Sequence, residues 1–227
     1  MYWSHSIPVP KADLSRLALA VEFITLFIAG PLALALLFQH VNPVPFLLLG
    51  GVAATMYLLR DKGFVRSSFG NLSSLKQQVQ RITLIFLLLT LLAIIGIAGV
   101  CPDYLFFCPR NNTTFWIITI ISYPLLSVYP QEVIYRAFLF RRYQKLFPER
   151  QSMIHASALV FAFGHIIFGN LIAIILTLAG GYLFAYTYQR SQSILTASVE
   201  HALYGCLVFT IGLGRFIQWD LSIISGL

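Results

Sequence analysis

Residues 82–100 read ITLIFLLLTLLAIIGIAGV, nineteen residues without a charge. Wound as an α-helix they extend about 28 Å, at 1.5 Å per residue, close to the ~30 Å thickness of a bilayer's hydrocarbon core. A surface helix of a soluble protein keeps a polar face, and this stretch has none. It therefore predicts a membrane-crossing helix. Six further apolar runs flank it: Leu17 to Gln39, Pro45 to Leu59, Thr114 to Tyr129, Ser152 to Phe168, Leu171 to Tyr188 and Ile194 to Gly214. Composition agrees over all 227 residues, which are 58% hydrophobic and only 10% charged, with a mean hydropathy of +0.80. Soluble proteins carry about a quarter charged residues. The expected fold is an all-α, polytopic transmembrane helical bundle of about seven to eight helices, with short loops and no separate soluble domain.

The formal charge is +7, from 15 Lys and Arg against 8 Asp and Glu. In a soluble protein that excess points to nucleic acid or an acidic partner. Here the positions argue for topology instead. With the N-terminus in the cytoplasm, Lys11, Arg16, the basic residues from Arg60 to Arg81, those from Arg141 to Arg150, and Arg190 all fall inside. Only Arg110 and Arg215 fall outside, and Arg136 lies within the bundle. Short loops rich in Lys and Arg stay on the cytoplasmic side, so the pattern predicts a multi-pass protein of a bacterial inner membrane, bathed by lipid and without a nucleic-acid partner. The first apolar run follows the basic head Lys11 to Arg16 and has no small-residue cleavage site, so it reads as a retained anchor. Phe64 to Arg81 is too polar to cross and reads as an interfacial helix or a loop. Cys101 and Cys108 flank the external CPDYLFFC, where an oxidising compartment permits a disulfide without requiring one. Cys206 reads as a packing residue.

Ionisable groups at membrane depth cost about 2.5–3.5 kcal/mol each on insertion scales, so those that persist face the bundle interior or serve a site. Glu22, six residues after Arg16, is expected to snorkel or to meet a lipid headgroup. Glu132 and Arg136 are four apart and follow Pro124 and Pro130, so a helix starting near Pro130 puts them on one face as a pair. A salt bridge anchoring that helix is the plain alternative. His165 sits in FAFGH, where Gly164 leaves room for a neighbouring backbone to approach closely. His155, about 15 Å away along the same helix, belongs to the interface. Either His165 or His201 alone is a packing residue as readily as a ligand. Glu132, His165 and His201 come from three different helices, and a carboxylate with two imidazoles suits either water activation or a divalent metal.

In order along the chain these segments are QEVIYR (Gln131 to Arg136), FAFGH (Phe161 to His165) and HALYG (His201 to Gly205). The set resembles the CPBP family of intramembrane proteases, which includes the CAAX prenyl proteases and bacteriocin-processing homologues, with patterns EExxxR, FxxxH and HxxxN on separate transmembrane helices. The resemblance covers about Thr114 to Arg215. It divides the chain into N-terminal helices with an interfacial segment (1–113), catalytic-core helices (114–215) and a tail (216–227). It implies a polar, cytoplasm-facing cavity in which glutamate and histidine activate water to cleave a peptide or protein substrate, membrane-associated or prenylated. On that mapping Glu132 and Arg136 match the second acid and the arginine, His165 contacts the water, and His201 supports the oxyanion. The family is often described as metalloproteases. Zinc held by Glu132, His165 and His201 and a metal-free glutamate–histidine mechanism both remain open.

Two positions depart from the pattern. Gln131 stands where the family's water-activating glutamate would be, and an amide takes no proton at neutral pH. Gly205 closes HxxxN and offers no side-chain donor to an oxyanion, a kind of loss worth about 2.7–4 kcal/mol in other hydrolases. Glu132 turned inward, Glu200 beside His201, and the Tyr204 hydroxyl are the nearest replacements. The sequence thus supports an endopeptidase in which Glu132 and His165 handle the water proton. The alternative is a catalytically impaired relative that binds a membrane peptide or partner.

Overall fold

The computed structural model describes residues 16–38 and 41–217. Lys11, the end of the first apolar run at Gln39 and the tail from residue 218 lie outside the described residues. Eight helices follow one another, and no strand occurs among the described residues. They are α1 (Arg16–Leu37), α2 (Val44–Arg60), α3 (Leu72–Val100), the short α4 (Phe107–Asn111), α5 (Thr113–Arg142), α6 (Arg150–Phe168, its last turn a tighter 3₁₀ turn), α7 (Leu171–Ser191) and α8 (Ile194–Thr210). Five are long and apolar enough to cross a membrane, and α2 and α8 are shorter apolar helices. The chain is a multi-pass integral membrane protein. Its outward surface is hydrocarbon: α3 buries only Ile82 and exposes Leu84, Leu87, Leu88, Leu91, Leu92 and Ile95, an arrangement that is stable in lipid and not in water.

Side-chain caps fix where four of these helices begin. Asn71 accepts from the Ser74 amide, Asn112 from Phe115, Asn170 from Ala173 and Ser193 from Thr196. Each satisfies an amide that the first helical turn leaves without a carbonyl.

Two expectations about element boundaries fail. The polar stretch 64–81 is not one interfacial unit. A 3₁₀ turn at Arg66–Phe69 precedes α3, whose first turns are Leu72 to Arg81 and run without a break into the apolar span. The capping Asn71 starts the helix earlier than hydropathy alone indicates. Nor does a new helix begin near Pro130. α5 is continuous from Thr113 to Arg142, and widened π turns at Pro124–Val128 and Val133–Phe138 carry it past two prolines. Proline removes a ladder N–H and crowds the carbonyl four residues back, and a wider turn accommodates both.

The two ends of the bundle differ chemically. At one, Arg141 grips Asp61 with Nε–Oδ2 at 2.5 Å and Nη2–Oδ1 at 2.9 Å. Close by, Arg142 grips Glu22 at 2.8 and 2.6 Å, and the Tyr143 hydroxyl donates to the same carboxylate at 2.9 Å. Glu22 therefore serves an internal pair rather than a lipid headgroup. The Ser74 hydroxyl reaches the Ser191 carbonyl at this end too. At the other end, Trp116 Nε1 donates to Thr210 at 3.0 Å, Asn170 donates to the Phe216 carbonyl at 2.8 Å, and Arg215 lies 4.4 Å over the Tyr104 ring. Cys101, Cys108 and Cys206 are free thiols.

Candidate active site

The widened turn of α5 holds Arg136, and the turn before it holds Gln131 and Glu132, all three buried. Glu132 Oε2 lies 3.3 Å from Arg136 Nε with both side chains fully enclosed. Its Oε1 lies 2.9 Å from Nδ1 of His201 on α8. Arg136 extends to α6, donating from Nη1 to Ser157 Oγ at 2.6 Å, while Ser157 donates to the Tyr135 carbonyl at 2.7 Å. Phe161 packs at the centre: its ring is 4.8 Å from the Arg136 guanidinium, 4.7 Å from the His165 ring and 5.4 Å from the His201 ring. Phe184 of α7 stacks flat on His201 at 4.4 Å. Helices α5 and α8 thus bring Glu132, Arg136 and His201 together through one ion pair and one hydrogen bond, and α6 sets His165 against the same phenyl ring.

Hydrogen-bond partners fix the imidazole tautomers. A carboxylate only accepts, so neutral His201 carries its proton on Nδ1 toward Glu132 and a lone pair on Nε2. The Tyr123 hydroxyl sits 3.1 Å from that Nε2 and donates to it. His165 Nδ1 lies 2.7 Å from the Phe161 carbonyl, another pure acceptor, so its lone pair is also on Nε2.

A cavity of about 1010 Å³ opens between α1, α2, α5 and the end of α6. Apolar side chains such as Leu26, Phe27, Phe46, Leu47, Leu126 and Phe168 form most of its wall. Its polar lining includes Tyr123, Ser127, Gln131, Tyr135 and His165. Glu132, Arg136 and His201 do not line it and stand behind that wall. The cavity takes α1 only from Leu26 onward and α2 only as far as Ala54, and it includes Phe115 and Ile217. It thus extends from mid-bundle toward the end that carries Trp116 and Arg215.

The proposed replacements are placed elsewhere. Glu200 is fully buried but pairs with Arg81 of α3 at 3.5 Å, on another side of α8 from His201. The Tyr204 hydroxyl is buried without a hydrogen bond, its ring against Phe86 and Phe184. His155 Nδ1 meets the Tyr182 hydroxyl at 3.0 Å, on an exposed surface. Gln131 donates to Ser127 Oγ at 2.7 Å, and its Oε1 has no partner in the protein.

Sequence reading missed Tyr123 and Ser157, and the place that Tyr135 takes beside Gly164. The signal was the two glycines beside the histidines. A Cβ built on Gly164 would come within 2.4 Å of the Tyr135 hydroxyl, and one on Gly205 within 2.2 Å of the Tyr123 ring. Gly164 therefore makes room for a phenol and not, as expected, for a backbone.

Zinc was one option for these residues. Among the described residues no three His, Cys, Asp or Glu side chains converge as a metal site. Glu132 and His201 are hydrogen-bonded to each other, and His165 Nδ1 is committed to a carbonyl. The donor set as arranged does not fit the ion, and no step is routed through one.

Residues 112–207 match the model of a protein family described as type II CAAX prenyl endopeptidase Rce1-like. This segment holds all three motifs and agrees with the CPBP resemblance. No curated protein and no solved structure matches the chain.

Proposed function

We propose, from the family carried by residues 112–207 and from the cavity beside His165, that the protein is an intramembrane endopeptidase in which His165 is the base. The observation that carries the reading is the commitment of His165 Nδ1 to the Phe161 carbonyl, which leaves the Nε2 lone pair free on a residue that lines the cavity. A water in the cavity donates one proton to His165 Nε2. His165 Nε2 removes its proton as the water oxygen bonds to the scissile carbonyl carbon, whose oxygen becomes the oxyanion. The C–N bond then breaks, and the same proton passes from His165 to the leaving nitrogen, giving a carboxylic acid and an amine. Glu132 keeps its role as an acid, but as the partner of His201 and Arg136 rather than of the water. The apolar walls suit a hydrophobic or lipid-modified peptide segment.

His165→Ala should lower cleavage by about 10²–10⁴-fold, the usual scale of general-base catalysis. The measurement is turnover of a quenched-fluorescent hydrophobic peptide by protein in nanodiscs, at matched levels of folded protein. Full turnover in the variant sinks the reading.

One observation favours a second reading, a peptide-binding relative without turnover. The Gln131 amide holds water or substrate but takes no proton. Gln131→Glu separates the two: turnover rises if the wild-type site is a weakened protease and stays at zero if the cavity only binds.

A further inference from the structure

Tyr123 joins the buried charge network to the cavity. Along one line the structure has a carboxylate (Glu132 Oε1), an imidazole 2.9 Å away (His201 Nδ1) and, on the other ring nitrogen at 3.1 Å, a phenol. Neither Glu132 nor His201 lines the cavity, whereas Tyr123 does. The phenol reaches this place because residue 205 is glycine: a Cβ there would lie 2.2 Å from Tyr123 Cε1 and 2.5 Å from its hydroxyl. No rotamer of a larger side chain avoids an overlap that begins at Cβ. The ring is held on its other edge by Phe209, centroids 5.1 Å apart, so the hydroxyl is fixed in position.

We propose that the Tyr123 hydroxyl is the hydrogen-bond donor that this site presents to a substrate carbonyl oxygen. This inference rests on the endopeptidase reading for its kinetic consequence, but not for the hydrogen bond itself. At rest the phenol proton is kept on the neutral Nε2 of His201, which Glu132 holds in the accepting tautomer. A carbonyl oxygen that is gaining negative charge is a stronger acceptor than a neutral imidazole. Rotation about the Cζ–O bond turns the proton toward it, with no heavy atom moved. The donor is therefore preorganised and gains most as charge develops, the condition for stabilising a transition state more than a ground state. Tyr123 thus does what the side chain of residue 205 is unable to do, from the space that residue leaves.

The test uses the full-length protein in nanodiscs and a hydrophobic tripeptide aldehyde labelled with ¹³C at its carbonyl. Infrared difference spectra should show the labelled stretch lowered on binding to wild type and returned toward its free frequency in Tyr123→Phe, which keeps the ring and loses the donor. Peptide turnover in the same variant should fall by about 10²–10³ in kcat with KM little changed, as for other single oxyanion donors. An unshifted stretch in wild type, the same shift in Tyr123→Phe, or failure of the aldehyde to bind overturns the inference. If wild type cleaves, His165→Ala does not and Tyr123→Phe cleaves fully, the inference fails and the endopeptidase reading stands. If wild type does not cleave but the stretch moves as described, that reading fails and the donor stands. Gly205→Ala serves as a second variant: displacing the ring, it should raise the stretch even where the hydroxyl is retained.

Discussion

Glu132 and Arg136 form a charged pair with no solvent contact, 3.3 Å apart in the middle of a bilayer-spanning helix. Its worth is measured by removing one partner. Glu132→Gln leaves a guanidinium enclosed with Phe161, Ser157 and the Tyr135 carbonyl beside it and no counter-charge on its own helix turn, and should destabilise the fold by about 3–5 kcal/mol. Denaturant titration in detergent measures it. The double variant Glu132→Gln/Arg136→Met should recover much of the loss, because no unpaired charge remains. Activity lost in Glu132→Gln must therefore be read against the folded fraction before it is assigned to chemistry. At this scale the motif residues separate into two groups. Gln131 and His165 meet the cavity, whereas Glu132, Arg136 and His201 hold the frame behind it.

At the scale of elements, α5 decides most of the site. Its second widened turn, Val133–Phe138, contains Arg136, and its first, Pro124–Val128, lies between Tyr123 and Gln131. The basic end of α5 is tied to α2 by the two-point grip of Arg141 on Asp61, which lies just past the end of α2. The Arg141 guanidinium and the Gly63 amide hold the Asp61 carboxyl below its ordinary range. Because the folded value is the lower one, this tie stabilises the fold above the unfolded value of about 3.9, and the contribution is lost as pH falls through the folded value. Thermal unfolding followed in detergent should thus show wild type losing stability on acidification below about pH 4. Asp61→Asn should be less stable than wild type at neutral pH and should lose less over that acid range. Equal pH profiles would remove the tie from the account.

At the scale of the molecule, the alternation of helices places Arg60, Arg66, Arg81, Arg141 and Arg190 at one end and Arg110 and Arg215 at the other. The positive-inside rule then predicts the first end in the cytoplasm. In a chain without its own cysteines, Asn111→Cys should be labelled by an impermeant maleimide on intact cells, and Gln151→Cys only after lysis. Under that outcome the part of the cavity lined by Phe115 and Ile217 lies toward the side away from the cytoplasm. A substrate segment would then enter from there. The reverse labelling gives the cytoplasm-facing site that the family resemblance implies.

The helical bundle was legible in the sequence because a bilayer demands internally satisfied backbone over about 20 apolar residues, and that demand is written locally. The same holds for the family resemblance, since QEVIYR, FAFGH and HALYG are local spacings on separate helices, and for the pairing of Glu132 with Arg136, which is an i,i+4 relation. Helix boundaries were less legible: Asn71 extends α3 backward through a polar stretch, and two prolines stay inside α5 because π turns absorb them. Which charged groups meet between helices was decided only by the tertiary structure, since helix rotation and packing set it. Those alone sent Glu200 to Arg81 and Glu22 to Arg142, and gave the space beside Gly205 to a tyrosine 82 positions earlier in the chain.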